Sequence, residues 1–99
     1  FDQLVRGLAE ELGPHGVAIN ALNPGPVRSP RWDGMMAAAA ARDGTTPAQA
    51  ESRYLERAAL RRIATADEVG THVAFLCSPR AAHMTGTSVT IDGGTTKTP

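Results

Sequence analysis

The sequence is poor in the residues that build disulfides and metal sites. It contains a single cysteine, Cys77, so it can form neither an internal disulfide nor a cysteine-rich metal site. Its three histidines, His15, His72 and His83, include no His-x-x-x-His pair and form no cluster in sequence. The spacing therefore does not support a metal hydrolase, and we expect no bound metal.

Long apolar runs and an excess of charge of one sign are also missing. No stretch of about eighteen apolar residues occurs, so no membrane span is predicted. Ten basic and ten acidic residues cancel to a formal net charge of zero, with no basic stripe of the kind that binds nucleic acid. We therefore expect neither a membrane nor a nucleic acid as partner, and a cytoplasmic location suits the single cysteine.

The most informative stretch that is present is residues 18–29, AINALNPGPVRS. We predict a buried strand over 17–23 that ends because Pro24 and Pro26 lack amide donors. Gly25, without a Cβ, allows another group to approach the main chain, and Ser29 places a hydroxyl at the start of a helix. Ligands bind beyond the carboxyl ends of strands in open parallel sheets, but an ordinary Pro-Gly loop explains the pattern equally well.

The remaining elements follow from periodicity and capping signals. An apolar stripe predicts a first helix that Gly13 caps and Pro14 stops. Thr46 or Thr45 is expected to cap a helix that begins at Pro47. A capping box starting at Thr65 predicts the last helix, followed by a strand over 87–91. The predicted organisation is a helical region at 1–16, a strand and turn at 17–29, an excursion at 30–64, a helix and strand at 65–94, and a frayed tail at 95–99.

Several side chains allow both a functional and a structural interpretation. Trp32, Met35 and Met36 are candidates for lining a substrate pocket, and packing the excursion onto the body is the alternative. Asn20, in mid-strand, is expected to make a structural hydrogen bond, and His72 to be packed or half-buried. Four arginines, Arg53, Arg57, Arg61 and Arg62, are expected to form a solvated face.

The order helix, strand, excursion, helix, strand predicts an α/β fold with two parallel strands. Only about twelve residues are predicted as strand, and two parallel strands cannot cover both of their own faces. The chain also begins inside a helix, without an initiator Met. We therefore expect the carboxyl-terminal part of a larger, Rossmann-type doubly wound parallel sheet.

The pattern resembles the last third of a short-chain dehydrogenase/reductase. Five segments carry the resemblance in the order and spacing of that family, namely 8–13 (LAEELG), 17–29 (VAINALNPGPVRS), 66–69 (ADEV), 74–78 (AFLCS) and 85–94 (TGTSVTIDGG). The resemblance implies that the two predicted strands are the sixth and seventh of a Rossmann-type sheet. It also implies that residues 30–64 form a mobile lid over the substrate.

The family's cofactor site maps onto the turn after the first strand. By resemblance, Pro24 and Gly25 form a wall beside the nicotinamide of NAD or NADP, and the backbone of Val27 bonds its carboxamide. Ser29 stands where the family usually has threonine and keeps the hydroxyl. The implied substrate is a carbonyl compound or secondary alcohol, 3-oxoacyl thioesters included. The final helix and strand resemble elements through which these enzymes form homo-oligomers, dimers within tetramers.

The family's catalytic residues have no counterpart in this sequence. Its glycine-rich phosphate loop, catalytic serine and tyrosine–lysine pair are absent. Tyr54 is the only tyrosine, Ala58 stands where the lysine would follow it, and the only lysine is Lys97. We therefore predict no catalytic residue within these 99 residues. The alternative to an oxidoreductase segment is a non-enzymatic interaction module or an inactive fragment.

Overall fold

A computed structural model describes residues 1–96. Its elements are α1 (Asp2–Leu12), a 3-10 turn (Gly13–His15), β1 (Ala21–Pro24), α2 (Pro30–Asp43), α3 (Pro47–Leu55), α4 (Ala66–Leu76), a second 3-10 turn (Pro79–Ala81) and β2 (Ser88–Ile91). The chain divides into two compact units. The first unit comprises residues 1–23 and 67–91, and the second comprises 24–66 with the described residues from 92 onward.

In the first unit, β1 and β2 pair as parallel neighbours, as the sequence predicts. Helix α1 buries Val5 and Ala9, whereas Phe1 and Leu4 of the same apolar stripe are exposed. Helix α1 ends at Leu12 with Gly13 as its C-cap, as predicted. Gly13 keeps a right-handed backbone (φ −54°) and the chain continues into a 3-10 turn. Gly16 instead adopts the left-handed conformation (φ 77°) that ends the helical segment.

The first strand is shorter at its start than predicted and begins at Ala21 rather than at residue 17. The backbone just before it bonds to a loop instead of a strand. The Ile19 carbonyl accepts the Gly86 N–H at 2.7 Å, and the Ile19 N–H donates to the Thr85 hydroxyl at 3.0 Å. The strand also extends one residue beyond Asn23, to Pro24.

The positions of Asn20 and His72 in the first unit can be compared with the structural roles predicted for them. Asn20 makes the predicted structural bonds, because its Nδ2 donates to the Met84 carbonyl at 3.1 Å. Its Oδ1 accepts both the N–H (3.2 Å) and the hydroxyl (2.7 Å) of Thr87. The expectation for His72 is wrong, since this residue is exposed and its Nδ1 lies 2.8 Å from the carbonyl oxygen of Glu68 in the preceding turn.

The second unit is organised around the packing of α2 on α3. Its core consists of Trp32, Met36 and Ile63, with Tyr54 and neighbouring α3 residues packed against it. The Trp32 and Tyr54 rings meet edge to face, with centroids 5.0 Å apart. Aromatic and thioether side chains thus hold the two helices together.

A hydroxyl side chain caps the N-terminus of each of these helices, because its oxygen accepts a backbone N–H that the first helical turn leaves unpaired. Ser29 Oγ accepts the Trp32 N–H at 3.2 Å. Thr46, one of the two residues predicted as candidates, caps α3, and it forms a complete capping box with Gln49. Pro47 occupies the first turn of that helix, as expected.

The end of the described chain is more ordered than the predicted frayed tail. The N–H and hydroxyl of Thr95 donate to the Asp92 carbonyl at 3.2 and 3.1 Å, and the Thr96 N–H donates to Asp92 Oδ2 at 2.9 Å. The prediction for residues 97–99 lies outside the described residues. Residues 92–96 therefore form a closed turn.

Candidate functional site

In the turn that follows β1, the backbone amide and carbonyl of Val27 have no hydrogen-bond partner among the described residues. Val27 forms a parallel bridge with Ala64, in which the Arg28 N–H donates to the Ala64 carbonyl (2.8 Å) and the Ala64 N–H donates to the Pro26 carbonyl (3.3 Å). The N–H and C=O of Val27 itself point to the opposite side. Within residues 1–96, neither group has a hydrogen-bond partner.

Gly25 is required here by a close backbone approach. A Cβ added at Gly25 would lie 2.7 Å from Cβ and 2.8 Å from Cα of Asp92. The group that approaches this glycine is therefore the chain after β2, which the sequence did not identify. The contact fixes the position of the Pro-Gly turn against the turn at residues 92–96.

The Asp92 carboxylate is held in the charged form by several donors. The Thr96 side chain and the backbone N–H groups of Gly94 and Thr96 lower the pKa of Asp92 to about 2. An ionised carboxylate that accepts these bonds stabilises the turn that contacts Gly25. Its signal in the sequence is the Asp-Gly-Gly pattern, which predicts a turn but not what the turn touches.

One small cavity brings together most of the residues that the sequence singled out. It has a volume of about 210 Å³ and is lined by Gly25, Val27, Ser29, Arg31, Trp32 and Met35. Met35 is 51% exposed, whereas Trp32 is only 3% exposed and reaches both the cavity and the core. Of the other predicted site residues, Pro24 does not line this cavity and Met36 packs in the core.

The cavity offers hydrogen-bond donors but no acidic side chain. The Ser29 oxygen is occupied by the Trp32 N–H, but a hydroxyl also has a proton to donate. The unpaired N–H and C=O of Val27 can serve an amide, which itself carries one acceptor and two donor hydrogens. An amide group is therefore one chemical partner that suits these two donors and this acceptor.

A carboxylate that the sequence reasoning missed supports one wall of the cavity. Glu51 on α3 accepts two bonds from the Arg28 guanidinium, at 2.8 and 2.9 Å, and a third from the indole Nε1 of Trp32 at 2.7 Å. The Arg28 bonds, and then the Trp32 bond, lower the pKa of Glu51, and the same pairing raises the pKa of Arg28. No local pattern marks Glu51, because its partners lie 19 and 23 residues away.

The four arginines predicted to form a solvated face are all exposed. Arg57 lies over the Tyr54 ring, 5.7 Å from its centroid, and Arg53 lies 3.8 Å from Asp43.

Residues 1–96 contain no group of three or more His, Cys, Asp or Glu able to hold a metal ion. No helix in this described range has the length and apolar character needed to cross a membrane.

Comparison with known proteins gives consistent matches along the chain. A family model described as Enoyl-(Acyl carrier protein) reductase matches residues 1–96. A short-chain dehydrogenase/reductase of Armillaria gallica is 38% identical over 94 residues, which cover 91% of this chain and 34% of that protein. The chain therefore spans about a third of the length of the curated relatives it matches.

Solved structures agree with the sequence matches. A short chain dehydrogenase family protein from Francisella tularensis superposes with a TM-score of 0.89 at 29% identity, over 98% of this chain and 40% of that one. L-sorbose reductase from Gluconobacter frateurii, solved with NADPH and L-sorbose, gives 0.88 at 27% identity, over 99% of this chain and 38% of that one. The two parallel strands with their helices thus match part of a Rossmann-type sheet. The chain belongs to the short-chain dehydrogenase/reductase family.

Proposed function

We propose that this chain is the part of an NAD(P)-dependent short-chain oxidoreductase that forms the nicotinamide-side wall, the substrate lid and an oligomer interface. The whole enzyme transfers hydride between nicotinamide and a carbonyl compound or secondary alcohol. The observation that carries the proposal is the cavity at the end of β1, which five of the seven predicted site residues line. NADPH in two related reductases supports a nicotinamide cofactor, either NAD or NADP.

In this proposal the chain's own residues bind and orient the carboxamide. The Val27 N–H donates to its oxygen, and the Val27 C=O accepts from its nitrogen. The Ser29 hydroxyl donates a further bond while its oxygen continues to cap α2. Nicotinamide, when bound, would donate or accept the hydride. From the family resemblance we expect the proton-transferring tyrosine and lysine to lie outside these 99 residues.

Helices α2 and α3 form the lid in this proposal. Trp32 and Met35 cover one side of the cavity with apolar surface, which excludes water from the nicotinamide. The indole N–H of Trp32 is already bonded to Glu51, so this side chain presents only apolar atoms to a ligand. Pro24, at the end of β1, directs the chain into the turn that forms the wall.

The oligomer interface is proposed on α4. Val73 and Phe75 are 46% and 44% exposed on two different faces of this helix, and each is an apolar side chain that suits contact with a second copy of the protein. Light scattering coupled to size-exclusion chromatography tests this part of the proposal, with a dimer or tetramer as the expected state.

The free, exposed thiol of Cys77 suits a reducing, cytoplasmic location.

The test of cofactor binding uses the longest translation product of the gene. NADH and NADPH are titrated by nicotinamide fluorescence into the wild type and into Ser29→Ala and Ser29→Thr. We expect Ser29→Ala to weaken binding about three- to tenfold, because one neutral hydrogen bond is lost. Ser29→Thr keeps the hydroxyl and should stay within about twofold of wild type.

Because Ser29 also caps α2, a second variant separates the effect of losing a helix cap from the effect of losing a cofactor contact. Thr46→Ala removes the cap of α3 in the same unit but touches no part of the cavity. It should lower stability without changing the cofactor affinity. Failure of the wild type to bind either cofactor would overturn the proposal and leave an interaction module as the better interpretation.

A further inference from the structure

Arg31 differs from the other arginines of the second unit in having no partner. The remaining six contact acids, a ring, backbone carbonyls or other groups, and they are Arg28, Arg42, Arg53, Arg57, Arg61 and Arg62. The Arg31 side chain makes no hydrogen bond, ion pair or ring contact with any residue in 1–96. Its guanidinium charge is therefore not neutralised within the described chain.

This unpartnered arginine lines the cavity that contains the cofactor wall. Three acids near this region are engaged elsewhere, and one of them, the Asp92 carboxylate beside Gly25, accepts bonds from the Gly94 and Thr96 N–H groups. Glu51 bonds Arg28 and Trp32, and Asp33 lies 3.7 Å from Arg28. None of the six lining residues is acidic. A guanidinium with five fixed donors, at the edge of a cavity without a carboxylate, binds planar oxyanions well.

The rest of the cavity supplies apolar surface. Trp32 and Met35 line it beside Arg31, and its volume is about 210 Å³. The cavity thus combines a small apolar surface with one cation that has no acidic partner among the described residues. An anionic organic molecule matches this combination better than a neutral ketone or alcohol, because only the anion adds a charge-assisted hydrogen bond with the guanidinium to the apolar contact.

We propose that Arg31 binds an anionic oxygen group, a carboxylate or phosphate, carried by the substrate. This inference rests on the proposed function, since it assigns a substrate class to the same cavity. Arg31 is a specificity-determining residue here and takes no part in hydride or proton transfer. The second source of the same chemistry is the diphosphate of the cofactor, and the experiment separates the two.

The experiment compares benzoate with benzamide, two compact probes that differ in charge. Their dissociation constants are measured by ligand-observed NMR on the longest translation product, with and without NADPH. With NADPH bound, so that the carboxamide-binding groups are occupied, we expect the wild type to bind benzoate about tenfold more tightly than benzamide. Arg31→Gln should abolish that preference, and Arg31→Lys should retain part of it because charge is kept but the planar fork is lost.

Arg42→Gln is the matched control, because Arg42 lies on the same helix and lines no part of this cavity. It should leave the preference for benzoate unchanged. Equal affinity of the wild type for both probes, or a preference that survives in Arg31→Gln, would overturn the proposal. So would weakened NADPH binding in Arg31→Gln together with no preference in the wild type, since the anion would then be the cofactor's.

The same measurements keep the two proposals apart. A wild type that binds no nicotinamide cofactor contradicts the oxidoreductase function. The benzoate and benzamide affinities measured without NADPH then still decide whether Arg31 is an anion site. A wild type that binds NADPH but shows no benzoate preference retains the proposed function and loses the substrate class.

Discussion

The indole Nε1 of Trp32 donates to Glu51 Oε1 across 2.7 Å, so a carboxylate on α3 holds the most buried aromatic residue of α2. The same carboxylate accepts two bonds from Arg28, in the turn after β1. Glu51 thus connects α3 both to Trp32 in the cavity wall and to the turn after β1. It does not line the cavity itself and acts as a positioning residue through these two partners.

We expect Glu51→Ala to destabilise the protein by about 1–3 kcal/mol, because the buried Trp32 N–H loses its acceptor. Glu51→Gln should destabilise it less, since an amide oxygen can still accept the indole N–H. Urea unfolding followed by tryptophan fluorescence measures both. Glu56→Ala, at the end of the same helix, is the control and should change stability by no more than about 0.5 kcal/mol. Equal effects of Glu51→Ala and Glu56→Ala would contradict the assignment.

Gly25→Ala tests the close approach of the two turns. The new methyl group would lie within 2.8 Å of two Asp92 atoms, so we expect a loss of about 1–3 kcal/mol. Gly34→Ala is the matched control, because a Cβ there meets nothing within 4 Å inside helix α2. It should stabilise by about 0.5–1 kcal/mol. Opposite signs in chemical unfolding are the expected result, and two similar values would show that the turns do not meet closely.

Acid should weaken the turn formed by residues 92–96. The pKa of Asp92 is lowered from 3.8 to about 2, so its contribution to stability is complete above the ordinary value and is lost as pH falls toward 2. We expect stability to drop over this range in the wild type and to drop less in Asp92→Asn. Unfolding midpoints measured from about pH 5 to about pH 2 provide the comparison. Parallel profiles for the two proteins across the whole range would refute the prediction.

Asn20 and Asn23 form a natural comparison within the first unit. Asn20 bonds Met84 and Thr87, whereas Asn23 is exposed. We expect Asn20→Ala to destabilise by about 1–3 kcal/mol, because it leaves the Met84 carbonyl and the Thr87 N–H without this partner. Asn23→Ala should remain within about 0.5 kcal/mol of wild type. Hydrogen exchange at Thr87, faster only in Asn20→Ala, would locate the effect.

Structural features that depend on residues close together in the sequence could be predicted from it. Thr46 and Ser29 were identified as helix starts because a cap and its backbone donors lie within one turn of each other. Asn20 was correctly assigned a structural bond, since a polar group in a strand must find partners. The error at residues 17–20 concerns the start of a strand. There, hydrogen bonds to a distant loop replace the regular strand pairing.

The sequence by itself determined the family, the α/β class, and most of the residues that line the cavity, because periodicity, caps and the Pro-Gly turn are local patterns. Only the tertiary structure decided that Asp92 abuts Gly25, that Glu51 holds Arg28 and Trp32, and that Arg31 has no partner within the described residues. The physical reason is distance along the chain. These contacts join residues between 19 and 67 positions apart, and which partners side chains meet at such separations depends on how the helices and turns pack.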